Sequence, residues 1–284
     1  MTNDTAVAPT AYVQLRWRER PLEIEYQWVG VTDPAAPVMV FLHEGLGSLA
    51  LWKEFPQRLC QGLGLRGLVF SRYGYGGSTP RPLQERFPCD FMQQQAFEVL
   101  PQLFAALGVQ RPWLFGHSDG GSIALLHASR FSEQLHGIVV LAPHLFVEEL
   151  SLASIRAVRA TYAEDGGGSG WGLRNRLARF HADVDSAFWG WNDVWLDPAF
   201  AAFNIEADCA RIICPILAIQ GRDDEYGTLD QIEAIERLRP RPQTRLAILA
   251  NCGHSPQRDQ PEQVIEEVTR FIMGADAPAA FAAP

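Results

Sequence analysis

The sequence predicts an α/β protein. Its frame is a mostly parallel, doubly wound sheet, with an antiparallel hairpin at the N-terminal edge and a helical cap inserted late in the chain. Three observations predict it. Short, wholly apolar runs recur along the 284 residues, and a run without alternation is what a strand buried on both faces of a parallel sheet needs. Segments with helical spacing separate most of these runs, as crossovers between parallel strands require. One long interval past the middle carries no strand signal at all.

The elements follow in order. Residues 12–17 and 22–29 alternate in character, with Leu22, Ile24, Tyr26 and Trp28 on one side and Glu19-Arg20-Pro21 between them. That pattern predicts a hairpin of half-buried strands. From Pro37 the pattern changes, and Val38-Met39-Val40-Phe41-Leu42 is apolar throughout. Similar runs follow at Gly67–Phe70, Trp113–Phe115, Ile138–Leu141, Pro215–Ile219 and Leu246–Leu249. Helical spacing is predicted over residues 49–63, 90–107, 119–130, 228–238 and 261–273.

Between Leu141 and Pro215 lie about 70 residues, and compact domains rarely hold a structureless loop of that length. The interval contains Asp165-Gly166-Gly167-Gly168-Ser169-Gly170 and four of the eight tryptophans, Trp171, Trp189, Trp191 and Trp195. A helical cap accounts for it better than a loop. The expected division is an α/β core over residues 1–145 and 206–274, a cap over 146–205, and a flexible tail over 275–284, where Ala and Pro dominate.

Composition narrows the functions. With 24 basic against 33 acidic residues the formal charge is −9, which disfavours nucleic acid or an anionic membrane as partner. The five cysteines are scattered and show no Cys-x-x-Cys spacing, so reduced thiols are expected rather than a disulfide framework or a zinc site. No two histidines and a carboxylate share metal-ligand spacing on one element, so no metal is assigned. Met1-Thr2-Asn3-Asp4-Thr5 lacks the basic region and apolar run of a signal peptide. No stretch approaches membrane-spanning length. The expected compartment is the cytoplasm and the expected partner a small-molecule substrate; the oligomeric state is open.

The chemistry centres on Gly116-His117-Ser118-Asp119-Gly120. This Gly-x-Ser-x-Gly pattern follows one strand and precedes a helix that begins at once. A strained strand-to-helix turn needs small neighbours so that backbones can approach. It pushes the serine hydroxyl out, over a helix N-terminus that favours developing negative charge. The competing reading is a glycine-rich turn with an incidental serine. A nucleophilic serine needs a base, and His254, in Asn251-Cys252-Gly253-His254-Ser255-Pro256, lies on a loop just after the last strand. The base needs an orienting carboxylate. Gly221-Arg222-Asp223-Asp224-Glu225 supplies three acids after the preceding strand; Asp224 is preferred over Asp223 and Glu225, though sequence barely separates neighbours. Donors for an oxyanion are expected from the backbone N–H of Asp119 and from the glycine-rich loop His43-Glu44-Gly45-Leu46-Gly47-Ser48.

Together with Trp52, Arg72-Tyr73-Gly74-Tyr75-Gly76-Gly77-Ser78 and the second glycine, Gly121, these blocks resemble the α/β-hydrolase fold superfamily, serine hydrolase (carboxylesterase-like) branch. They occur in the family's order over residues 37–272. The resemblance implies an α/β-hydrolase fold, with Ser118, Asp224 and His254 as catalytic triad in the family's chain order. It also implies Gly45 as the second oxyanion donor beside Asp119. One departure stands out: many members carry His-Gly where this chain has His43-Glu44, and Glu44 is expected to point away or to pair with a cation such as Arg72. Serine in the elbow separates the chain from haloalkane dehalogenases and epoxide hydrolases, which use aspartate there.

The expected activity is cofactor-free cleavage of an ester or related acyl compound through an acyl-enzyme intermediate. A carbon–carbon bond hydrolase for dienol ring-cleavage products is the nearest alternative, and it would need an arginine facing the pocket. A hydrolase-derived ligand receptor is an alternative of a different class. His144 follows the C-terminal end of a strand, where α/β sheets place their sites. His144 is therefore expected among the substrate-binding residues, with Trp189, Trp191 and Trp195 from the cap. Rings that merely glue the cap to the core are the competing reading for each tryptophan. His117 and His43 are read as structural. Arg174, Arg176 and Arg179 are read as a solvated helix face.

Overall fold

A computed structural model describes residues 8–164, 172–240 and 244–274. Eight strands form one sheet: β1 (Ala11–Trp17), β2 (Arg20–Gly30), β3 (Val38–Leu42), β4 (Arg66–Phe70), β5 (Trp113–His117), β6 (Gly137–Leu141), β7 (Ile216–Gly221) and β8 (Thr244–Leu249). They are ordered β1-β2-β4-β3-β5-β6-β7-β8. The β1–β2 and β2–β4 pairs are antiparallel, and the other five are parallel. The chain belongs to the α/β class with the N-terminal hairpin that its alternation predicts.

Strand residues divide between two apolar layers, which is why these runs do not alternate in polarity. Val38, Val40 and Leu42 of β3 enter the core on one face, and Met39 and Phe41 enter the core on the other. Helices cover both faces. α1 (Phe55–Leu63) gives Leu59 and Cys60 to the second core, joined by Val264 and Val268 of α11 (Pro261–Met273). The first core is built with α2 (Phe91–Gln94), α3 (Leu100–Leu107), α4 (Asp119–Phe131) and α9 (Asp230–Leu238). A π-helical stretch, Gln95–Val99, joins α2 to α3. All five cysteines are free thiols.

Between β6 and β7 the described residues hold α5 (Glu149–Glu164), α6 (Leu173–Leu177), α7 (Val184–Trp195) and α8 (Glu206–Cys209), with an isolated bridge from Phe146 to Asn204. The glycine-rich run at 165–170, Trp171 and the tail at 275–284 lie outside the described residues. α7 starts cleanly because the Asp183 carboxylate accepts the Ser186 N–H at 2.9 Å, satisfying an otherwise orphaned first-turn donor. The last short helix, α10 (Pro256–Asp259), follows the loop after β8. Among the described residues, no helix is long and apolar enough to cross a membrane.

The strand order reverses beside β3: its chain leads to β4 on one side, while β5 pairs on the other. Open α/β sheets bind ligands in the crevice at the carboxyl end of such a switch. The loops after β3, β5, β6, β7 and β8 all leave the sheet at that edge.

Candidate active site

Ser118 is held with φ 52° and ψ −120°, a region that side-chain-bearing residues rarely occupy. Its surroundings enforce it. The Ser118 N–H donates to Leu141 O at 2.9 Å, and Ser118 O accepts from the N–H groups of Gly121 (2.8 Å) and Ser122 (3.0 Å). The turn closes so tightly that a Cβ on Gly116 would stand 2.3 Å from Gly120 O, and one on Gly120 would stand 2.1 Å from Leu42 O. Only glycine fits at either position.

Three side chains from three different loops meet here. Ser118 Oγ lies 2.9 Å from His254 Nε2, and His254 Nδ1 lies 2.8 Å from Asp224 Oδ1. Asp224 Oδ1 also accepts the N–H groups of Tyr226 (2.8 Å) and Gly227 (3.2 Å), and Oδ2 accepts Gln220 Nε2 at 3.1 Å. Burial opposes ionisation of Asp224, but the His254 hydrogen bond and charge, with the Tyr226 amide, outweigh it and hold the carboxyl below its ordinary value. The neighbouring acids do other work: Asp223 is exposed, and Glu225 Oε2 accepts the His254 N–H at 3.1 Å. The tautomer that fits donates Nδ1–H to Asp224 and leaves Nε2 free to accept the serine proton.

Gly45 and Asp119 line the same cavity as Ser118, and the backbone N–H of each is without a hydrogen-bond acceptor among the described residues. The Gly45 loop is braced from behind. Arg72 donates through Nη2 to Glu44 O at 3.1 Å and through Nη1 to His43 O at 2.5 Å. His43 Nε2 accepts the Arg72 N–H at 3.0 Å, and its Nδ1 lies 2.7 Å from Glu44 O. Deep burial, with the Arg72 charge adding to it, lowers the His43 pKa well below normal, so the ring is neutral. His181 ties the same loop to the inserted helices: Nδ1 accepts the Gly76 N–H at 3.0 Å and Nε2 lies 3.2 Å from Leu46 O.

Of the two expectations for Glu44, pointing away or pairing with a cation such as Arg72, the named partner needs correcting. Arg72 spends its guanidinium on backbone carbonyls, while Glu44 Oε2 lies 3.4 Å from His117 Nδ1. Burial works against ionisation of Glu44, but the hydrogen bond and charge of His117 outweigh it and hold the pKa at about 2. His117 Nε2 in turn lies 2.7 Å from His254 O, so the loop carrying His254 is pinned from beneath.

A cavity of about 240 Å³ opens over Ser118. Its wall includes Gly45, Leu46, His144, Ile155, Trp191, Trp195 and Tyr226. His144 Nε2 lies 3.4 Å from Ser118 Oγ, and its Nδ1 is buried without a partner. Burial, with the charge of His254 adding to it, lowers its pKa to about 3, so this ring too is neutral. The Trp191 indole packs closely against the loop after β3: a Cβ on Gly45 would stand 2.2 Å from Trp191 Nε1. Trp195 donates its indole N–H to Asp119 Oδ1 at 3.1 Å, while Asp119 Oδ2 is buried without a partner. Burial raises the Asp119 pKa to about 6, against the opposing charge of Arg72 and the Trp195 hydrogen bond.

Trp189, expected in the pocket, does not line this cavity. It lies two residues from Trp191, a turn of about 200° around a helix, and packs edge-on against Tyr162 and Phe188 with the Arg159 guanidinium 5.0 Å from its ring centroid. Arg174, Arg176 and Arg179 do not line it either; Arg174 pairs with Asp185 at 2.6 Å. The arginine on the cavity wall is Arg258, on α10 just after the loop that carries His254. Its nearness to His254 along the chain was its only sequence signal. Ile155 had none, and Leu46 was marked only as a member of the glycine-rich loop. Among the described residues no group of three or more His, Cys, Asp or Glu side chains could hold a metal ion.

The fold and this constellation define a hydrolase of the α/β class. Residues 39–267 match the sequence model of the alpha/beta hydrolase family, and the chain belongs to that family. A putative carbamate hydrolase, RutD, of Stutzerimonas stutzeri is 29% identical over 249 residues, covering 82% of this chain and 90% of its own. The sn-1-specific diacylglycerol lipase ABHD11 of Mus musculus is 24% identical over 291 residues, covering 89% and 86%. Among solved structures, a thermophilic esterase from Thermogutta terrifontis superposes with a TM-score of 0.69 at 19% identity, covering 95% of this chain and all of that one. At such identity the likeness speaks for the fold alone.

Proposed function

We infer that this protein is a serine hydrolase that cleaves an ester or related acyl compound through an acyl-enzyme intermediate. The observation that carries this reading is the unbroken chain Ser118 Oγ–His254 Nε2, His254 Nδ1–Asp224 Oδ1, at 2.9 and 2.8 Å, on a strained elbow beneath a cavity. Ser118 Oγ attacks the substrate carbonyl carbon as its proton passes to His254 Nε2. The carbonyl electron pair moves onto oxygen, and the N–H groups of Gly45 and Asp119 stabilise it. Asp224, kept ionised, steadies the imidazolium and its orientation. As the tetrahedral species collapses, the bond to the leaving group breaks and His254 returns the proton to it. Water then repeats the sequence on the acyl-serine, releasing the acid.

The wall formed by Ile155, Trp191, Trp195 and Tyr226 supports an apolar or aromatic acyl or leaving group. We assign the helices at 146–205 the part of a cap over this site, with Trp191 and Trp195 as its substrate-facing rings and His144 edge-on against Trp195. Arg258 on the wall keeps one alternative in play, carbon–carbon hydrolysis of a carboxylated dienol, which needs such a cation. Labelling with a fluorophosphonate tests the mechanism. Stoichiometric labelling of the native protein, abolished in Ser118→Ala, is expected; equal labelling of both sinks the reading. Turnover of a dienol acid faster than of p-nitrophenyl esters would favour the alternative.

A further inference from the structure

A second cavity, of about 330 Å³, adjoins the one over Ser118, and Glu44, Ser255 and Arg258 line both. In a chain of charge −9, this chamber carries Lys53, Arg58 and Arg258 against Glu44 and Glu54. The cations are not equally available. Arg58 is paired with Glu262 at 2.5 Å. Among the described residues Lys53 has no ion-pair partner, and Arg258 has only a 3.4 Å contact with its neighbour Asp259, with 72% of its side chain exposed. Glu44 is turned to His117.

Two further observations concern the same wall. Lys53 is the single lysine of the sequence, and it stands at φ 51°, ψ −137°. A glycine would adopt that conformation freely, so a lysine sits there at a conformational cost. Beside it, the Trp52 ring is buried to 5% exposure, and its indole N–H has no hydrogen-bond partner. Buried N–H groups are almost always paired. An orphaned donor on a wall that also carries two available cations is what a carboxylate would complete.

The geometry points to this chamber as the binding site for a substrate carboxylate, with Lys53 and Arg258 supplying charge and Trp52 a hydrogen bond. The substrate class is then an ester or acyl compound whose acyl chain or leaving group ends in a carboxylate remote from the bond that breaks. The substrate assignment rests on the reading of Ser118 as nucleophile; the anion site does not.

The test compares p-nitrophenyl butyrate with mono-p-nitrophenyl glutarate. The native protein should prefer the glutarate through a lower KM, and the preference should shrink in about 0.5 M NaCl, where the Debye length is only a few ångströms. Lys53→Met should lower the glutarate-to-butyrate ratio of kcat/KM about fivefold, through KM rather than kcat, and Lys53→Arg should restore most of it. Arg211→Met, which removes a surface charge lining neither chamber, should leave the ratio where it was. In parallel, glutarate itself is titrated into Ser118→Ala by calorimetry. Binding that is lost in Lys53→Met/Arg258→Met supports the chamber even if neither ester is hydrolysed, in which case the nucleophile reading alone falls. A ratio unchanged in the double variant, or glutarate binding that is absent from Ser118→Ala or unaffected by the double substitution, overturns the proposal.

Discussion

The sheet-edge loops and the inserted helices meet around one cavity, but they are held in different ways. At the edge, hydrogen bonds do most of the holding, while His144 Nδ1 and Asp119 Oδ2 stay unpaired. Asp224 receives four hydrogen bonds, the Ser118 backbone three, and the Gly45 loop is gripped by Arg72, His43 and His181. The inserted helices meet the core through rings as well as polar ties: Trp195 packs against His144 at 4.9 Å between centroids, and Phe200 against Phe91 at 6.0 Å. The polar ties join Arg81 with Ser186, His181 with Gly76, Trp195 with Asp119, Ser151 and Ser154 with the carbonyls of Tyr226 and Glu225, and Glu148 with Thr228 and Gln231. Hydrogen bonds fix direction, whereas ring packing fixes volume and tolerates adjustment. The edge is thereby suited to chemistry that fails with small misplacement, and the helices to shaping what enters.

That contrast is open to measurement. At the edge, Asp224→Asn should lower kcat about 10⁴-fold with little change in fold, because the amide no longer holds the His254 tautomer. Asp223→Asn, one residue away but exposed, should cost less than about twofold, in line with the small effects of surface substitutions. Comparable losses in the two variants would contradict the assignment of the acid. Where the two regions join, Asp119→Asn tests the buried carboxyl. Its folded-state pKa of about 6 lies above the ordinary 3.8, so its stabilising contribution is whole below about pH 3.8 and lost as pH rises through 6. Removing the group should therefore shift stability, relative to the native protein, by about 2 kcal/mol in the variant's favour between pH 4 and pH 8. Denaturant titrations at the two pH values check it, and a pH-independent difference refutes it. Within the helices, Trp191→Ala should raise KM about tenfold, while Trp189→Ala should lower stability and leave KM within about twofold, as expected of a ring outside the cavity. A larger KM effect at Trp189 would mean that the helices rearrange when substrate binds.

Much of the edge was legible because its signals are local. The Gly-x-Ser-x-Gly turn needs glycines wherever it occurs, since Leu42 O and Gly120 O leave no space for a Cβ. A loop following a parallel strand must end at the carboxyl edge, so Ser118, Asp224 and His254 could be expected to converge from three distant segments. The sequence preferred Asp224 over Asp223 and Glu225 by a narrow margin, and the turn after β7 supplies the physical reason, since it brings the Asp224 carboxylate to His254. Trp189 misled for a related reason. The cluster Trp189-Gly190-Trp191 advertises aromatic character, but helical phase decides which ring reaches the cavity, and that phase depends on how α7 packs. Glu44 misled because charge complementarity names any cation as a partner, while backbone carbonyls had already claimed Arg72.

The amino-acid order was enough to define the sheet, its hairpin, the strand–helix alternation and the Gly-x-Ser-x-Gly turn, because each depends on neighbours within a few residues. Contacts between residues 30 to 140 positions apart settled the rest: the hydrogen bonds of His254 to Asp224 and Ser118, the pairing of Glu44 with His117, the donation from Trp195 to Asp119, and the second chamber beside Trp52. Such contacts form only when whole elements pack, and no spacing along the chain encodes which side chain will face which.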